Sequence, residues 1–130
     1  MLFFDAHCDI LSRINTEEEL FNNEYHWDAQ RALSNGPFIQ VFSAFNEEFP
    51  REIAKKNMLK QIQMILSAEE NFPEKLKIIR NKEDLDECIT ENSNQRVYGI
   101  LEAEGAEILG RSLKEFDRLY SLGLRILTLC

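Results

Sequence analysis

The chain has 130 residues, with 15 Lys+Arg against 23 Asp+Glu and a formal net charge of −8. The basic residues are scattered, Lys55-Lys56 being the only adjacent pair, which excludes a phosphate-gripping nucleic-acid module. Hydrophobic residues at 44% and charged residues at 29% are enough for one core and exclude intrinsic disorder as the main state.

Three cysteines, Cys8, Cys88 and Cys130, stand at long, unpatterned spacings that match neither a disulfide framework nor a CxxC zinc site. A reducing, cytoplasmic setting is the expectation. No run approaches the roughly 18 apolar residues of a membrane span, and Met1-Leu2-Phe3-Phe4 meets Asp5 before it becomes a signal-peptide core, so no membrane partner is expected. Without repeats, low-complexity tracts or linkers, residues 1–130 read as one unit.

Leu2-Phe3-Phe4 opens a strand that continues into Asp5-Ala6-His7-Cys8-Asp9. The acidic stretch from Asn15 to Asn23 lacks an apolar stripe and reads as a loop or short helix. After the turn signal Ser34-Asn35-Gly36-Pro37, the run Phe38 to Phe45 is a second strand. Ile53, Met58, Ile62, Ile65 and Leu66 recur at near-helical spacing between Arg51 and Asn71, predicting a long amphipathic helix that ends before Pro73. Leu76 to Ile79 reads as a short strand. Lys82 to Thr90 reads as a helix with Leu85, Cys88 and Ile89 on one stripe.

Val97 to Glu104 is a strand stopped by Gly105. Ser112 to Ser121 is a helix bearing Leu113, Phe116, Leu119 and Tyr120, with Ser112 as N-cap, Glu115 at the capping-box position and Gly123 beyond its end. Arg125 to Leu129 opens a last strand with no evident neighbour. Strands alternating with helices indicate an α/β fold with parallel strands.

His7-Cys8-Asp9 is the sharpest chemical feature. Residues two apart on a strand share a face about 7 Å apart, so His7 and Asp9 can converge on one cation at bond lengths of about 2.0–2.2 Å. The competing reading is a His–Asp hydrogen bond at a strand end. Cys8 then points to the helix layer as a small buried hydrophobe. Glu102 and Glu104 share a parity, and Glu104, next to Gly105 at the strand exit, is the better placed for a cleft, although a solvated rim carboxylate fits it as well. Glu107 reads as a solvated or helix-start carboxylate, His26 as a surface or packing histidine, and Glu17-Glu18-Glu19 as a solvated helix start. Gln40, inside an apolar strand, is either a support for a site or a polar core contact. There is no glycine-rich phosphate loop, no GxSxG elbow and no nucleophilic cysteine context, which leaves metal-assisted chemistry.

These residues together resemble the N-terminal part of the membrane (renal-type) dipeptidase family. Phe4-Asp5-Ala6-His7-Cys8-Asp9 is similar to the family's opening D-[GA]-H-x-D strand. Asp28 through Arg31 to Gly36-Pro37-Phe38-Ile39-Gln40-Val41-Phe42-Ser43 is similar to its D-x-x-R…G-G-x-x-Q-x-x-S segment. Leu101 to Gly105 resembles the (I/L)-x-x-EG strand, and Leu119 to Leu129 resembles LY-x-LG-V-R-x-LTL. Ala106 stands where a second Gly is frequent, and Cys130 where Thr is usual.

The resemblance implies a zinc metallopeptidase with a (β/α)8 barrel, of which residues 1–130 are the N-terminal part, ending after the fourth main strand begins. It implies that His7 and Asp9 bind one zinc and that Glu104 bridges it to a second, whose two further histidines lie on later strands. Zinc would activate water to hydrolyse a small dipeptide substrate. This chain alone is expected to hold at most one zinc and to be catalytically incomplete. The alternatives are another barrel metallohydrolase of amidohydrolase or lactonase type, or a non-catalytic half-barrel whose open strand edges pair with themselves or with a missing C-terminal half.

Overall fold

The computed structural model describes residues 1–91, 94–110 and 112–129. In chain order the elements are β1 (Phe3–Cys8), α1 (Glu17–Phe21), α2 (Ala29–Leu33), β2 (Phe38–Ala44), α3 (Arg51–Asn71), β3 (Leu76–Ile78), α4 (Lys82–Glu91), β4 (Val97–Glu104), α5 (Leu113–Leu122) and β5 (Leu124–Thr128). Two 3-10 turns, Ile10–Ser12 and Ala106–Leu109, follow β1 and β4. No helix among the described residues is long and apolar enough to cross a membrane. Helix α1 resolves the stretch from Asn15 to Asn23, whose sequence has no apolar stripe, α2 is a short helix that the sequence reading did not assign, and local bonds account for both. Glu19 folds back to accept from the backbone of Asn15 at 2.6 Å and Thr16 at 3.3 Å, and Asp28 caps α2 by accepting from Arg31 N at 2.8 Å.

Every strand pairing is parallel, in the order β1-β2-β4, with the far edge of β4 shared in series. There β3 pairs with Val97 to Gly99 and β5 with Leu101 to Glu104. The last strand therefore does have a neighbour, contrary to the sequence expectation, because β3 covers only the first half of β4. Between β1 and β2 the register runs Asp5↔Gln40 and then Cys8↔Phe42. Three steps on one strand match two on the other, so one extra residue is accommodated as a bulge in β1. Strict alternation would put Asp5 and His7 on one face; the bulge instead sets Cys8 beside Phe42 in the helix layer and turns His7 to the opposite face.

The two sheet faces are covered differently. On one, Cys8, Phe42, Leu101, Ala103 and Leu124 pack with Met58, Ile62, Ile65 and Ala68 of α3. Trp27 meets Phe42 edge-to-face at 5.1 Å between ring centroids. On the other face Ile39, Ile79 and Tyr98 pack with Cys88 of α4. Ile89 is 55% exposed and does not belong to the predicted α4 stripe, and Ile53 of α3 also faces outward.

The α5 stripe is likewise only partly used: Leu119 is buried, whereas Leu113, Phe116 and Tyr120 are exposed. Ser112 occupies the N-cap of α5 without a side-chain capping bond, and Glu115 pairs with Arg118 instead of closing a capping box. Gly123 ends the helix in the left-handed conformation at φ +119°, as its position predicts.

Candidate metal centre

Parallel strands direct their carboxyl ends to one edge of the sheet, where His7 stands next to last in β1 and Glu104 last in β4. Strand β1 stops at Cys8, so Asp9 is not a strand residue. It lies at φ −88°, ψ 16° and starts the Ile10–Ser12 turn. That turn folds the Asp9 carboxylate back over His7, and strand alternation is not the cause of their convergence. At β4, Gly105 takes φ +112° and its N–H donates to Thr128 Oγ1 at 3.1 Å, clipping the exit beside Glu104 to the end of β5.

His7 stands at the middle of the resulting group. Its Nε2 lies 3.2 Å from Asp9 Oδ1 and 3.2 Å from Glu104 Oε2. Its Nδ1 lies 2.9 Å from Glu102 Oε2, and its backbone N–H donates to Asp5 Oδ1 at 3.2 Å. Burial lowers the proton affinity of the ring, but the Glu102 hydrogen bond and the charges of Asp9, Glu102 and Glu104 outweigh it, so the pKa is raised above the ordinary imidazole value. One atom in this group is unsatisfied: Asp9 Oδ1 is buried, and its contact with the ring lacks hydrogen-bond geometry.

The donor set fits a divalent cation. One ligand atom from each of His7, Asp9 and Glu104 lies within 4.8 Å of the other two. The 3.2 Å separations are close to the roughly 3.3–3.5 Å edge of a tetrahedron with bonds of about 2.0–2.1 Å. Three carboxylates around one imidazole leave an excess of negative charge that a cation relieves.

The other sequence candidates lie outside this group. Gln40 is fully buried, and its Nε2 donates to the backbone oxygens of Val41 at 3.0 Å and Asp5 at 3.4 Å, tying β1 to β2. His26 is exposed, and its Nε2 sits 3.6 Å from Cys8 Sγ. Burial pushes the Cys8 thiol up to about 11, an inert state that suits its helix-layer position. Asp28 and Arg31 bind each other at 2.5 Å, and Arg31 Nη2 donates to Tyr25 O at 2.7 Å, so that motif braces a loop. Glu107 lies in the Ala106–Leu109 turn, and Cys130 is outside the described residues.

Glu102 is the residue whose role sequence reasoning missed. It is 5% exposed inside β4, between the buried Leu101 and Ala103, and a buried carboxylate by itself demands a partner. The partner is His7, across β2, and nothing in the sequence pairs residues 95 positions apart.

The sequence profile of membrane dipeptidases, peptidase family M19, matches residues 1–130. Among solved structures, dipeptidase AC, a metallo peptidase of family M19, is 27% identical with a TM-score of 0.76, the match covering 95% of this chain and 41% of that one. A metallo peptidase from Rhodobacter sphaeroides, liganded with a phosphinate mimic of the dipeptide L-Ala-D-Ala, matches with a TM-score of 0.79 at 23% identity, covering 95% and 44%. The probable dipeptidase PvdM from Pseudomonas aeruginosa matches with a TM-score of 0.80 at 17% identity, covering 100% and 34%. A comparison with curated protein sequences finds no match. The chain thus spans less than half the length of these structures, which are (β/α)8 barrels, and its parallel sheet is part of such a barrel. With the profile match running over every residue and the fold shared with solved relatives, this chain belongs to the membrane dipeptidase family, peptidase family M19, a family of metallo dipeptidases.

Proposed function

We propose that this chain supplies the first metal ligands of a zinc-dependent dipeptidase, with His7, Asp9 and Glu104 as those ligands. The observation that carries the reading is the placement of His7 Nε2 at 3.2 Å from both Asp9 Oδ1 and Glu104 Oε2 while Nδ1 is engaged by Glu102. Imidazole nitrogen with carboxylate oxygens is a donor set that zinc accepts in tetrahedral geometry with an open position. When bound, zinc supplies Lewis acidity and a more acidic water for attack on a peptide carbonyl.

The chain's own residues hold that centre still. The Ile10–Ser12 turn aims Asp9, the Gly105–Thr128 clip steadies the backbone at Glu104, and the pairing of β2 between β1 and β4 sets their spacing. A dipeptide substrate follows from the family and is supported by the dipeptide mimic held by the Rhodobacter sphaeroides relative. Two buried free thiols, Cys8 and Cys88, suit a reducing cytoplasm.

Calorimetric zinc titration of the chain is expected to show a single site of moderate affinity, lost in His7→Ala, with little dipeptide hydrolysis by the chain alone. A wild-type chain that takes up no zinc, or a His7→Ala chain that binds it equally well, sinks the ligand assignment. Two tight zincs together with brisk hydrolysis would instead show that these residues already form a complete site.

Exposed apolar groups favour a companion proposal about partners. Phe4 on the outer strand β1 is 60% exposed, and Leu113 of α5 and Leu129 after β5 are 84% and 79% exposed. In a closed barrel such groups are covered by later strands and helices, so further barrel elements are the proposed occupants of both edges. A chain that stays monomeric at high concentration and gains nothing in stability from those elements would contradict this.

A further inference from the structure

We infer that Glu102 is a positioning carboxylate that fixes the tautomer and ring orientation of His7, so that the Nε2 lone pair faces Asp9 and Glu104. This rests on the proposed ligand role of His7 and deepens it. An ionised carboxylate can only accept a hydrogen bond, and a neutral imidazole carries one N–H. The 2.9 Å contact between Glu102 Oε2 and His7 Nδ1 therefore places that N–H on Nδ1 and leaves Nε2 as the acceptor. Nε2 is also the nitrogen that lies between the other two carboxylates, at 3.2 Å from each.

The fold keeps Glu102 from giving way. It sits inside β4, flanked in register by Ser43 of β2 and Ile126 of β5, and is 5% exposed. Glu104, by contrast, occupies the strand exit and is partly exposed. Two carboxylates of equal parity on one strand thus divide their work by depth. The outer one reaches the cation position, and the inner one holds the ring that reaches it. A carboxylate behind a metal-binding histidine also raises the basicity of the ring nitrogen toward the metal.

The test uses nitrogen-15 NMR of the histidine rings of the full chain, at a pH where they are neutral, together with cobalt(II) titration. The chain has two histidines, and a His26→Gln variant assigns them. Wild type is expected to show His7 protonated at Nδ1. Glu102→Ala is expected to move the proton toward Nε2 and to weaken cobalt binding about 10- to 100-fold. Glu102→Gln, nearly isosteric and still offering an acceptor oxygen, is expected to fall between the two and keeps the test open if Glu102→Ala does not fold. A wild type that binds cobalt while Glu102→Ala matches it in affinity and tautomer overturns the positioning role and leaves the metal reading standing. A wild type that binds no cobalt while its Nδ1 proton still depends on Glu102 overturns the metal reading and supports the Glu102–His7 coupling.

Discussion

Gly105 connects backbone geometry to the candidate metal centre directly enough to be tested by one methyl group. Its φ of +112° with ψ of 130° lies where side-chain-bearing residues are rarely found, and it follows Glu104 immediately. A Cβ added there would lie 2.5 Å from Glu107 Oε2. Two effects therefore act in Gly105→Ala. The contact is with the far end of a flexible side chain, which can swing out for a few tenths of a kcal/mol, whereas the backbone strain cannot be shed without moving the exit of β4. The strain should dominate, at about 1–3 kcal/mol.

Urea unfolding at constant m should show that loss as a midpoint lowered by about 0.5–2 M. Cobalt(II) affinity should fall with it, because relaxing Gly105 displaces Glu104 and pulls the N–H away from Thr128. The double variant Gly105→Ala/Glu107→Ala, compared with Glu107→Ala alone, should keep nearly the whole loss. A Gly105→Ala protein within about 0.5 kcal/mol of wild type refutes the strain argument. Full recovery in the double variant would show that the side-chain contact was the cause.

Phe42→Ala should cost about 3–5 kcal/mol in the same unfolding assay, since Phe42 is fully buried and carries the edge-to-face contact with Trp27. Asp28→Ala should cost about 2 kcal/mol through loss of the α2 cap and of the buried partner of Arg31, with Asp28→Asn recovering part. Burial pushes both Cys8 and Cys88 from 9.0 up to about 11. Between those values the unfolded chain has released thiol protons that the native chain retains, so stability should decline as pH rises from 9 toward 11. Both thiols act in the same direction, so their effects on this slope add. Cys8→Ala/Cys88→Ala should flatten that slope, and an unchanged slope would show that other groups set it.

Periodicity and punctuation were sufficient for most elements. The stripe between Arg51 and Asn71 and the run from Val97 to Glu104 mark α3 and β4 at their observed limits, because helix and strand periods are local properties of the chain. Helix α1, read only as a loop or short helix, and helix α2, not assigned from the sequence, were less legible because side-chain bonds to the backbone hold them. The exposed residues of α5 follow the helical period without a core to enter, so helical periodicity by itself does not establish burial.

The sequence by itself determined an α/β chain with parallel strands and the three residue types, His7, Asp9 and Glu104, that suit a cation. Tertiary structure decided how they meet. A bulge in β1 selects the face His7 points to, a turn outside the strand brings Asp9 back, and a glycine with positive φ sets the exit beside Glu104. It also decided that Glu102, indistinguishable from Glu104 by parity, meets His7 at Nδ1, whereas Glu104 meets it at Nε2 beside Asp9. The physical reason is that alternation along a strand is a local rule, whereas strand register and burial depth are fixed by packing among segments nearly a hundred residues apart.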